Sequence, residues 1–195
     1  MKTKSKNMKV LVVLGALVIA LSLILSACGP SNEEVIRGKL IEEFDQIKAG
    51  SGEDYDMMLE SLEQEGNLEE IGIDSEEFLR ALLEGFDYSI NEITVEKSTA
   101  TVKITVTRKS ISDANKIFEN KTEEYTAELE ALAAEDPGSV PGMDEILAKS
   151  SALYMEAIAE TSLSDMVCEI AYEKISNVWT PTEESSNAFA ETIFQ

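Results

Sequence analysis

The sequence predicts an α+β fold: an antiparallel sheet of about four strands, packed with helices and carrying an inserted helical pair. Three observations lead there. Residues 86–106 and 166–180 alternate apolar and polar side chains with a period of two, as half-buried strands do. Residues 31–85 and 113–161 instead repeat apolar side chains at helical spacing. Turn-forming groups such as Gly50-Ser51-Gly52, Lys97-Ser98-Thr99, Asp136-Pro137-Gly138 and Ser176-Asn177 fall between these segments.

The chain begins with Lys2, Lys4, Lys6 and Lys9, followed by an apolar run from Val10 to Leu25. A basic start, an apolar centre and small residues before a cut describe an export signal, whereas a membrane-spanning helix needs about 20 apolar residues. The stretch Leu25-Ser26-Ala27-Cys28 resembles the lipobox of bacterial lipoprotein signal peptides. That resemblance implies cleavage before Cys28 and lipidation of its sulfur, and so explains a cysteine at that position. Residues 1–27 are then a signal peptide and 28–195 a single extracytoplasmic domain anchored to the cell membrane through Cys28. Several acyl chains on one residue anchor stably where a single chain is marginal.

Beyond Cys28, Ser31 and Glu34 have the spacing of a capping box, and Ile36, Leu40, Phe44 and Ile47 form the apolar stripe of a first helix. Tyr55, Met58, Leu59 and Leu62 mark a second helix. Phe78, Leu79, Leu82 and Leu83 mark a third, capped at Asp74 or Ser75 and ended by Gly85. Phe86, Tyr88 and Ile90, then Ile93 and Val95, form a first strand whose phase slips at Asn91-Glu92, as a β-bulge requires. Ala100, Val102, Ile104 and Val106 alternate with Thr101, Lys103, Thr105 and Thr107 in the clearest strand.

Asp113 opens a long helix, and Asp144 opens its partner after the Pro137-Gly138 and Pro141-Gly142 breaks, giving a helical insertion over about 113–163. Met166, Cys168, Ile170 and Tyr172 form a third strand and Val178-Trp179-Thr180 a fourth. Ser186 to Gln195 is a terminal helix with Phe189, Ala190, Ile193 and Phe194 on one face, expected to dock because exported domains seldom leave two Phe exposed. The strand-turn-strand segments Ile93–Val102 and Tyr172–Trp179 resemble those of nuclear transport factor 2-like lipoproteins of unknown function. The resemblance implies a curved sheet with helices in its concavity, a cone-like arrangement, over residues 31–185, and the long helical pair is a departure from it.

Composition narrows the chemistry. The net charge is −22, and because 1–27 holds four lysines and no acid, the remainder is more acidic still. Nucleic acid is therefore not an expected partner, since phosphate binding needs clustered Lys and Arg. There is no histidine, which removes Ser-His-Asp and Cys-His nucleophile activation and the usual zinc sites. With Cys28 assigned to lipid, Cys168 is the second and last cysteine, read as a small buried hydrophobe without a disulfide. The acidic groups Glu53-Asp54-Asp56, Glu69-Glu70 and Asp74-Glu76-Glu77 lack the alternating ligands and central Gly of a calcium loop. They read as solvated helix faces, so no metal and no cofactor is expected.

Tyr88, Tyr125, Tyr172 and Trp179 are candidate pocket-lining residues, although aromatics at alternating positions are more often core. No catalytic residue is singled out. The expected function is a membrane-anchored, non-enzymatic module binding a small apolar ligand, peptide or envelope protein. Two alternatives are a histidine-free carboxylate/tyrosine hydrolase or isomerase in the cone, and a structural envelope-assembly factor with no pocket.

Overall fold

A computed structural model describes residues 29–65 and 68–194. The signal segment and the lipobox residues Leu25, Ser26, Ala27 and Cys28 lie outside the described residues, as do Gln195 and the side chains of Ala190, Ile193 and Phe194. Helix α1 (Asn32–Ala49) starts on the expected capping box: the Glu34 N–H donates to Ser31 Oγ at 3.2 Å and the Ser31 N–H donates back to Glu34 Oε2 at 2.6 Å. Gly50, at φ +62°, closes it in the left-handed conformation that glycine adopts most readily. Ile36, Leu40, Phe44 and Ile47 are all buried. Helix α2 (Glu53–Glu65) and helix α3 (Ser75–Leu82) follow, α3 being capped by the Asp74 carboxylate accepting from the Glu77 N–H at 2.8 Å.

Strands β1 (Asp87–Glu96), β2 (Thr99–Lys109), β3 (Leu163–Ile175) and β4 (Val178–Pro181) form one open antiparallel sheet in the order β1-β2-β3-β4. The β1–β2 register slips between Ile90 and Glu92, at the expected bulge. Ser176 (φ +51°) and Asn177 (φ +68°) both adopt positive φ in the two-residue β3–β4 turn, which suits the right-handed twist of a tight hairpin. One sheet face is buried: Ala100, Val102, Ile104 and Val106 of β2 and Cys168, Ile170 and Tyr172 of β3 are each 9% exposed or less. The other carries Thr101, Lys103, Thr105 and Thr107, with Lys103 and Glu169 paired across the strands at 3.4 Å. This is the amphipathic pattern of a sheet covered on one side.

Helix α4 (Ile111–Glu135) and helix α5 (Met143–Glu160) are inserted between β2 and β3, which still pair directly along the whole of β2. The pair docks by its base, through buried Ala114, Leu153, Ala157 and Ile158. Tyr154 stacks on Phe78 at 6.1 Å and meets Phe118 edge-on at 5.1 Å, while Lys121 reaches Glu156 and Glu160 across the pair. The remote turn is exposed, including Met143 and Leu147.

Several boundaries differ from the sequence expectation; strand β1 begins at Asp87 rather than Phe86, and α5 at Met143 rather than Asp144. Helix α4 begins at Ile111, because Ser110 Oγ accepts from the Asp113 N–H and makes Ser110 the cap. Strand β3 begins at Leu163, because β2 continues to Lys109 and offers it a partner. Helix α6 (Glu183–Phe194) begins three residues before Ser186, where the Ser185 N–H finds Thr182 Oγ1 at 3.3 Å. Among the described residues no helix is long and apolar enough to cross a membrane.

Candidate functional site

The core that seats α1 and α6 on the sheet leaves a cleft of about 40 Å³ between them. Leu40, Glu43, Phe44 and Ile47 of α1, Asp54 of α2, Ile170 and Tyr172 of β3, Pro181 at the end of β4, and Ser186 and Phe189 of α6 line it. The volume suits a few water-sized groups, since one buried water occupies about 10–15 Å³ on this measure. Helix α6 is held over the cleft by two bonds at β3: Ser185 Oγ accepts from the Ala171 N–H at 2.8 Å and the Thr182 N–H donates to the Ala171 carbonyl at 2.8 Å. Phe189 then meets Phe44 edge-on at 5.5 Å, so this end of α6 is docked.

In this apolar lining the two carboxyl groups are the unusual feature. Glu43 Oε1 is buried and has no hydrogen-bond partner among the described residues. Burial, with the Asp54 charge added, pushes the Glu43 carboxyl up to about 8, against partial relief from Lys39. Asp54 is 6% exposed, and no cation lies within 4 Å of its carboxylate among the described residues. Burial and then Glu53 raise it as well, again opposed by Lys39. Lys39 stands one helical turn before Glu43, but the two do not form an ion pair; burial lowers Lys39 while Glu43, Asp54 and Glu42 oppose that shift. Tyr172 is held far above its ordinary range, first by burial and then by the Glu43 charge. A carboxyl poised near neutrality beside a phenol, in an apolar cleft, has the features of a ligand-anchoring or proton-transferring site.

Of the four aromatic candidates, Tyr172 alone lines this cleft. Tyr88 sits behind Phe44, with ring centroids 4.9 Å apart, and its hydroxyl donates to Asp45 Oδ1 at 2.8 Å. Burial and that bond push the Tyr88 phenol up to about 12. Trp179, 3% exposed, donates its indole N–H to Asn32 Oδ1 at 3.2 Å, and Lys174 donates to the same oxygen at 3.0 Å. Trp179 therefore ties the start of α1 to the sheet. Tyr125 is half-buried on α4 and contributes nothing to the cleft. Cys168 is a free, buried thiol whose titration is raised by burial and only partly offset by Arg108.

The solvated-face reading of Glu53-Asp54-Asp56 fails at Asp54. Helix α2 packs its first turn toward the cleft, which a list of charges does not reveal. Glu43, three residues after Leu40 and seven after Ile36, lies on the flank of the buried stripe rather than on the polar face. A second concavity, of about 490 Å³, runs along α4 from Phe118 to Glu130; one helix supplies its whole lining, and three glutamates hold its rim.

No protein-family model matches the chain, and neither does any curated protein. Among solved structures the chain is similar to YcdA of Bacillus subtilis subsp. subtilis str. 168, provisionally described as a lipoprotein. The TM-score is 0.48 and the identity 16%, covering 82% of this chain and 54% of that one. The chain thus spans about half the length of that protein, and a likeness of this degree carries no property across.

Proposed function

We propose that this chain is a lipid-anchored extracytoplasmic binding module, held at the membrane by Cys28, whose cleft under α6 takes a small ligand with an apolar body and a polar head. The observation that carries the reading is a carboxyl oxygen, Glu43 Oε1, without a partner among the described residues, in the wall of a largely apolar cleft. A buried polar atom without a partner costs about 1–3 kcal/mol, and a ligand that supplies the missing hydrogen bond recovers part of that cost. The seat of α6 on Phe44 and Ala171 keeps the cleft covered rather than flat.

Two experiments test the two halves of the proposal. Mass spectrometry of the mature protein is expected to show a chain beginning at Cys28 with acyl mass on it; an unlipidated chain beginning at Met1 overturns the anchor. Thermal denaturation against small envelope-derived ligands is expected to show stabilisation that E43Q weakens. No stabilisation by any of them counts against the binding role.

One observation favours a second reading. Glu43, near 8, shares the cleft with Tyr172, and a general acid or base works best when its pKa lies near the working pH. A histidine-free hydrolase or isomerase would use that pair. It is supported if a substrate screen finds turnover that E43Q abolishes while the fold persists.

A further inference from the structure

We infer that the ligand is a cation, specifically a primary ammonium group on a short apolar body, received between Glu43 and Asp54. This inference rests on the binding reading above and names the chemistry of its ligand.

Three features of the cleft select that class. The first is charge. The groups bearing on Glu43 and Asp54 are Lys39 and Glu42 from α1, Glu53 from α2 and Tyr172 from β3. Helix α6 contributes Ser186 and Phe189 to the lining, neither of which titrates in this range. One half-buried lysine thus faces several carboxyls, and it pairs with neither Glu43 nor Asp54 within 4 Å. The second is the state of the acceptors. Among the described residues, Asp54, 6% exposed, lines the cleft without an ion pair, and Glu43 Oε1 lacks a hydrogen-bond partner. An ammonium group offers three donors to Asp54 and to ionised Glu43, whereas a carboxylate or phosphate would add a second negative charge beside Asp54. The third is size and lining. Space of about 40 Å³ admits a head group of a few atoms, and Phe44 and Phe189 give the attached carbons an apolar wall and a cation-attracting ring face. Among the described residues no group of three or more metal-ligating acids occurs, so the site suits an organic cation better than a metal ion.

Binding couples to a proton. In the free cleft near pH 7 the Glu43 carboxyl is mostly protonated; the entering ammonium brings its own charge, the Glu43 O–H bond breaks, and that proton leaves to solvent. The amine itself stays protonated, since a lysine-like ammonium titrates at about 10.4. With Glu43 titrating at about 8, the ionised fraction rises about tenfold from pH 7 to pH 9, so the affinity for the ammonium rises about tenfold over the same interval.

Calorimetric titration of the lipidated chain in nanodiscs, with n-butylammonium chloride and with n-butanol as the uncharged isostere, tests this against empty nanodiscs. The expected result is n-butylammonium binding that tightens about tenfold from pH 7 to pH 9 and releases close to one proton at pH 7. E43Q is expected to remove the pH dependence, D54N to weaken binding at both pH values, and K39Q to tighten it. Circular dichroism confirms that each variant is folded, and D54N carries the test if E43Q is not. If n-butanol binds as well as n-butylammonium, with no pH dependence, the cation assignment is overturned while the binding role stands. If neither binds, both are overturned.

Discussion

Replacing Glu43 by Gln tests the electrostatics of the cleft without any ligand. The folded chain holds the Glu43 proton up to about pH 8, whereas the unfolded chain releases it near the ordinary value of 4.5. Between these values the unfolded state binds fewer protons than the folded one, so stability falls as pH rises. At 1.36 kcal/mol per factor of ten in proton affinity, the loss from this one group between pH 5 and pH 8 reaches up to about 3.5 kcal/mol. Gln keeps the shape and cannot ionise. The stability difference between E43Q and the parent is therefore expected to be small at pH 5 and to grow in favour of E43Q by up to that amount at pH 8. Asp54 and Lys39 titrate in both proteins and largely cancel in the comparison. Urea denaturation followed by circular dichroism at pH 5, 6, 7 and 8 measures it. Parallel stability curves for the two proteins across this range would refute the buried, unpartnered state of Glu43.

Other outcomes follow from the same contacts. Phe44→Ala removes a ring that meets Phe86, Tyr88 and Phe189, and is expected to cost about 3–5 kcal/mol by denaturant titration, with loosening of α6 seen as faster amide exchange there. Asn32→Ala strips the acceptor from the buried Trp179 indole and from Lys174; the expected cost is about 1–3 kcal/mol, with a shift in Trp179 fluorescence. The Cys168 thiol should react with a thiol reagent only when the chain is unfolded, because it is buried and its thiolate is disfavoured; rapid modification of the native protein would contradict this. Asn177→Gly, at a φ of +68° in the β3–β4 turn, is expected to be neutral or to stabilise slightly, by about 0.5 kcal/mol in urea denaturation.

Much of the architecture is legible in the chain because one periodicity governs each segment. The alternation of Ala100, Val102, Ile104 and Val106 with threonines and Lys103 states which face of β2 is buried, and the slip at Asn91-Glu92 states where β1 bulges. Capping is equally local, so Ser31 and Glu34 reveal the start of α1. The burial of Arg108 and Lys109 is not legible, since the β2 alternation gives no sign that the strand end is roofed. Lys109 is satisfied by the Ala81 carbonyl at 3.1 Å and Glu84 at 2.7 Å, both contributed by a segment 25 or more residues away.

The sequence by itself determined the α+β class, the order of strands and helices, and the lack of any histidine-based site. Each of these depends on composition or on residues a few positions apart. Only the tertiary structure decided which of the 38 acidic residues meet in a largely apolar cleft. Glu43 and Asp54 belong to different helices, and their environment is set by Tyr172 and Phe189, more than a hundred residues further on. A carboxyl is an ordinary solvated charge or a perturbed one according to the water and charges around it, and packing alone fixes those.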